Sequence, residues 1–81
     1  MNPRIVAEVR TRFAAIMKLD ATTLDMDARL DDTYGVDSLN ALRLVSELEI
    51  ALDCDIPEAE LMKLRTLNDV VRTCESFLKK P

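Results

Sequence analysis

Gly35-Val36-Asp37-Ser38-Leu39-Asn40-Ala41-Leu42-Arg43-Leu44-Val45-Ser46-Glu47-Leu48-Glu49-Ile50-Ala51-Leu52-Asp53 decides the fold. Leu39, Leu42, Val45, Leu48 and Leu52 recur at helical spacing, with Leu44 beside them, so the stretch reads as an amphipathic helix. Asn40, Arg43, Glu47 and Ile50 fall on its outer face or edge. The helix opens at Asp37-Ser38, an ordinary capping pair, and closes near Asp53. Gly35 is the only glycine in the chain and stands just before that opening, where it permits a positive φ or a close turn.

Upstream, Asn2 can cap a helix and Pro3 suits its first position, where a missing N–H costs nothing. Val6, Val9, Phe13 and Ile16 form an apolar stripe, widened by Ile5 and Met17, and predict a helix over residues 3–18. Residues 19–37 show no sustained period. They set Asp20, Asp25, Asp27, Asp31, Asp32 and Asp37 against Arg29 alone, with Leu19, Leu24, Met26 and Leu30 spaced as apolar pegs. The expectation is a long loop pinned to the core, and loops of that length in small domains usually have a function.

Downstream, Ile56-Pro57 opens a short helix whose Leu61 and Leu64 turn inward. Thr66-Leu67-Asn68-Asp69 fits a capping box, the threonine capping and the acid three positions on. Leu67, Val70, Val71, Cys74, Phe77 and Leu78 carry the last helix to about residue 79, with Lys79 and Lys80 at its negative end. The expected fold is all-α: one domain over residues 1–81, a four-helix bundle with a short third helix and a long loop between helices one and two.

Composition excludes several functions. A chain of 81 residues builds only a thin core, so function sits on the surface or on an attached group. The chain has no histidine and so lacks the commonest general base near neutral pH. Fifteen acidic residues against eleven basic ones argue against nucleic acid and favour basic protein surfaces. No apolar run approaches the ~20 residues of a membrane span. Residues 1–20 carry charges throughout, so no signal sequence is read there. Cys54 and Cys74 are too few for a disulfide scaffold, and Cys74 lies on a buried stripe. The chain is expected to be cytoplasmic, soluble and monomeric, with both thiols reduced. The acids of residues 19–37 do not follow the spacing of a calcium loop, since Thr22 and Leu24 fall where ligands are needed. No metal site is assigned.

Gly35-Val36-Asp37-Ser38-Leu39 places a serine hydroxyl at an exposed helix start. Unpaired backbone N–H groups and the positive dipole end there would favour a phosphodiester on Ser38. Taken alone, the five residues are a weak motif and read first as an ordinary helix cap. The order of the whole chain resembles the acyl carrier protein family. The resemblance rests on the long loop, the Asp37-Ser38-Leu39 start, the helix through Asp53, Asp55-Ile56-Pro57-Glu58 and Leu67-Asn68-Asp69-Val70. It implies 4′-phosphopantetheine attached at Ser38 by a phosphopantetheinyl transferase using coenzyme A, with Asp37 and Leu39 flanking the attachment. It also implies acyl groups held as thioesters on that arm and presented to acyl-loading and acyl-processing enzymes, with the acyl chain sheltered between helices two and three or the bundle holding only an ordinary small core. A peptidyl or aminoacyl carrier shares these features. A helical interaction module without a cofactor is the reading outside the class.

The family's second helix is its usual recognition surface and is rich in acids. Here Asn40 stands where Asp is common, Arg43 where Glu is common, and Ile50-Ala51 replace an acidic pair. Asn40, Arg43, Glu47 and Ile50 are therefore the candidate partner-binding residues, and they point to a specialised carrier for fatty-acid, lipid or polyketide-type biosynthesis. Ile50 is open to two readings, a partner contact or a half-buried edge residue. Tyr34, where the family more often has Leu, is expected to pack in the core, with contact to the arm as the alternative.

Overall fold

In the computed structural model, residues 1–79 are described. The structure is helical, with α1 (Pro3–Met17), α2 (Leu30–Tyr34), α3 (Ser38–Leu52), α4 (Glu58–Leu61) and α5 (Leu67–Ser76), and a short 3-10 turn at Ala21–Thr23. The four expected helices correspond to α1, α3, α4 and α5; α2 is an addition. α1 packs on α3 and α5, and α3 also touches α5.

The helix starts follow the sequence. The Asn2 side chain accepts from the N–H groups of Arg4 and Ile5, and Pro3 occupies the first turn. Thr66 and Asp69 form the reciprocal capping box, Thr66 Oγ1 accepting from Asp69 N–H at 3.1 Å and Asp69 Oδ2 from Thr66 N–H at 3.1 Å. The core gathers Ile5, Val9 and Phe13 of α1, Leu44, Val45, Leu48 and Leu52 of α3, and Leu67, Val70, Val71 and Cys74 of α5. Cys54 joins Cys74 in that core, both as free thiols. Burial pushes Cys54 up and Cys74 up to about 12, because a thiolate there would lose its water.

Residues 19–37 depart from the expected loop. They contain the 3-10 turn and α2. Gly35 closes α2 at φ 66°, with its N–H returning to Asp31 O and the Val36 N–H to Leu30 O. The glycine thus ends one helix rather than preparing the next. Tertiary contacts hold the segment: Leu30 N–H donates to Arg65 O, and Asn68 N–H to Met26 O. Tyr34 packs edge-on against Phe13 with ring centroids 5.3 Å apart, and its hydroxyl accepts from Asp25 N–H at 2.8 Å. Core packing is therefore what the structure gives Tyr34.

α5 stops at Ser76, short of the expected residue 79. Beyond it the chain pairs with residues 53–55: Asp55 N–H donates to Phe77 O and Lys79 N–H to Asp53 O, around an antiparallel bridge of Cys54 with Leu78. Those backbone bonds replace another helical turn. Lys79 thus lies past the helix end, and Lys80 falls outside the described residues. Leu61 and Leu64 are half-buried rather than buried.

Candidate functional site

α3 carries the candidate serine at its first position. Asp37 caps the helix, its Oδ1 accepting from Asn40 N–H at 2.8 Å while its backbone oxygen takes the Ala41 N–H at 3.0 Å. The N–H groups of Ser38 and Leu39 belong to the first turn and have no acceptor within the helix. Asp37, Ser38 and Leu39 are all exposed. A phosphodiester on the Ser38 hydroxyl meets these donors and the positive helix end, so the residues present fit the group the resemblance implies. Asp37 provides the cap and not the anion affinity, since its own charge opposes a phosphate.

The inner stripe expected for this helix needs correcting at its first turns. Leu39 is 74% exposed and Leu42 50%, whereas Leu44 is buried at 3%. Neither Leu39 nor Leu42 belongs to the packed core. Instead Leu42 lines an open groove of about 1060 Å³ that begins at Asp37 and Ser38 and runs between α2, α3 and α4. Its walls include Val36, Val45, Ile56, Leu61 and Leu64. Glu49 lies along it with its Oε2 accepting from Ile56 N–H at 3.0 Å, a bond that ties α3 to the chain entering α4. Arg29 and Arg65 also border it. Arg29 donates to Asp31 through Nε at 3.1 Å and Nη2 at 2.9 Å and holds the Asp31 carboxyl below its usual range. Met62 lines the groove as well, and none of Arg29, Arg65 and Met62 carries a signal in the sequence, because they come from segments without a period.

The candidate partner residues share the outer side of α3. Arg43 is exposed, Asn40 and Glu47 are half-buried, and Ile50 is 86% exposed. That exposure overturns the half-buried edge reading of Ile50. The structure does not bring Ile50 near Ser38, as twelve helical positions separate them, or roughly 18 Å along the axis.

Residues 7–74 match the family described as phosphopantetheine attachment site. The acyl carrier protein of Onion yellows phytoplasma is 34% identical over 67 residues, which is 83% of this chain and 88% of that protein. This chain belongs to the acyl carrier protein family. The acyl carrier protein of Campylobacter jejuni subsp. doylei is 28% identical over 72 residues, 89% of this chain and 94% of the relative. An iterative polyketide synthase of Emericella nidulans is 34% identical over 77 residues, 95% of this chain but 3% of the synthase. The protein is thus a phosphopantetheine carrier for fatty-acid or polyketide biosynthesis, not a catalyst, and works with a phosphopantetheinyl transferase and biosynthetic enzymes. Among the described residues no helix of this carrier is long and apolar enough to cross a membrane.

Proposed function

We propose that Ser38 is the attachment residue, with Asp37 and Leu39 beside it as the recognition and capping neighbours. The observation that carries this is the exposed Ser38 hydroxyl at the start of α3, opening on the apolar groove. When bound, the group supplies a flexible arm with a terminal thiol that holds acyl groups as thioesters. The chain's own residues then divide the work. Asp37 fixes the first turn and keeps the serine outward. Leu42, Val45, Ile56, Leu61 and Leu64 offer an apolar wall that can shelter an acyl chain.

Residues 1–81 act as one carrier domain on this reading, which the single core of α1, α3 and α5 supports. The carrier works as a monomer in the cytoplasm; its two free thiols suit a reducing compartment. It is a specialised carrier whose partners read Asn40, Arg43, Glu47 and Ile50. The replacement of acids on the outer side of α3 supports that reading.

The test is direct. The chain is incubated with coenzyme A and a promiscuous phosphopantetheinyl transferase, and its intact mass is taken. A gain of one phosphopantetheine in the wild type, absent in Ser38→Ala, is the expected result. No gain in folded protein, or a gain that persists in Ser38→Ala, overturns the assignment.

A further inference from the structure

Backbone hydrogen bonds join three separate segments near Ser38. Leu30 N–H donates to Arg65 O at 2.8 Å, and Val36 N–H donates to Leu30 O at 3.0 Å. Residue 65 is thus linked through residue 30 to residue 36, two positions before Ser38. Arg65 N–H also donates to Asp69 Oδ2 at 3.0 Å, so both of its backbone groups are held. Arg29, Arg65, Asp37 and Ser38 all border the one groove.

The two arginines differ in what their side chains do. Arg29 donates to Asp31 through both Nε and Nη2, and its charge is matched there. Arg65 is exposed, and among the described residues its side chain makes no hydrogen bond and no ion pair. Three carboxylates of the groove have other partners: Asp31 meets Arg29, Asp37 meets the Asn40 N–H and Glu49 meets the Ile56 N–H. Glu58, in the first turn of α4, is the fourth. Among the described residues no ion pair joins it to Arg65.

A phosphodiester on Ser38 adds a negative charge next to Asp37. The first turn of α3 offsets part of that repulsion through the helix dipole, whose effect falls off within that turn. A guanidinium is charged at every working pH and presents a planar fork of donors that matches phosphate oxygens in pairs. Among the described residues of the groove, Arg65 is the cation whose donors are open to such an anion. Its backbone is fixed to the same hydrogen-bonded segments that lead into Ser38.

We infer that Arg65 holds the phosphodiester of the attached arm and offsets the charge of Asp37 beside it. This rests on the Ser38 reading above, and the test separates the two. Wild type, Arg65→Gln, Arg65→Lys and Lys63→Gln are each prepared without the arm and with it, the arm ending in its free thiol, and modification is verified by intact mass. Arg65 holds the fold through its backbone groups, which its variants keep, and the midpoint without the arm shows that each variant is folded. The readout is the change in thermal midpoint on attaching the arm at low salt. Loss of one exposed charge contact makes that change about 1–8 °C less favourable in Arg65→Gln than in wild type, with Arg65→Lys between them and the gap closing in high salt. Lys63, which pairs with Glu60 at 3.4 Å, is the control, and Lys63→Gln is expected to keep the wild-type change. Equal changes in wild type and Arg65→Gln overturn the contact while leaving Ser38 in place. An equal loss in Lys63→Gln assigns the effect to diffuse attraction and also overturns it. A gap that opens only after malonyl loading assigns Arg65 to a cargo carboxylate and overturns the phosphodiester contact. No mass gain in wild type, or a gain that persists in Ser38→Ala, overturns the Ser38 reading instead.

Discussion

Asp37 sits where stability and modification meet, and substitutions there separate the two. Its Oδ1 accepts the Asn40 N–H at 2.8 Å, so Asp37→Ala leaves a first-turn donor without its cap. Such a loss costs about 0.5–2 kcal/mol. A chain of 81 residues has a total stability of roughly 4–12 kcal/mol. Even the weakest case combined with the largest loss leaves about 2 kcal/mol, or roughly thirty folded molecules for each unfolded one. Unfolding therefore removes only a few per cent of substrate, and any larger fall in modification has another cause.

Asp37→Asn keeps the capping oxygen and removes the charge. Urea denaturation is expected to show Asp37→Ala destabilised by about 1 kcal/mol and Asp37→Asn close to wild type. The transfer of phosphopantetheine to Ser38, followed by intact mass, is expected to fall about tenfold or more in both. That pattern separates a carboxylate read by the transferase from a carboxylate that only caps. Asp37→Asn with wild-type transfer refutes the recognition role. Asp37→Ala with wild-type stability refutes the capping role, and with it the account of how α3 begins.

Two further predictions follow from other parts of the molecule. The Cys74 thiol keeps its proton up to about 12 when folded and to about 9.0 when not. Below 9 the folded form has its full advantage; as pH rises from 9 towards 12 the unfolded chain alone loses the proton, and stability falls by at most about 4 kcal/mol. Urea midpoints at pH 7 and pH 10.5 are expected to drop more in wild type than in Cys74→Val, and equal drops contradict the burial argument. As for partners, a housekeeping fatty-acid system is expected to load and elongate malonyl groups on this carrier at least about tenfold more slowly than on its own carrier. Equal elongation rates, read by mass of the acyl products, remove the case for specialised partners.

What was legible in the sequence was whatever a helix can hold by itself. Pro3–Met17, Ser38–Leu52 and Leu67–Ser76 have caps and stripes long enough for a period to show, and all three form. α2 has only five residues and two inward side chains, Leu30 and Tyr34, too few to establish a period. Its existence depends on Arg65, Phe13 and Asp25, partners that no local pattern reveals. The end of α5 was hidden for the same reason, since residues 53–55 from another part of the chain take over the backbone bonds.

The misplaced leucines are more informative than the elements that matched. Periodicity marks residues able to be buried, and burial then needs something to cover them. Leu39 and Leu42 continue the stripe of α3 outside the packed core. A sequence shaped only by folding would place polar residues there, as exposed apolar groups add nothing to stability and invite association. Their position beside Ser38, one lining the groove and one facing water, puts uncovered apolar surface where a carrier meets its cargo and its enzymes. The same logic applies to the exposed Ile50 at the other end of the helix, among the residues proposed for partners. The departures from simple core patterning thus fall at the surfaces assigned to attachment, shelter and docking, while Val45, Leu48 and Leu52 between them serve the core.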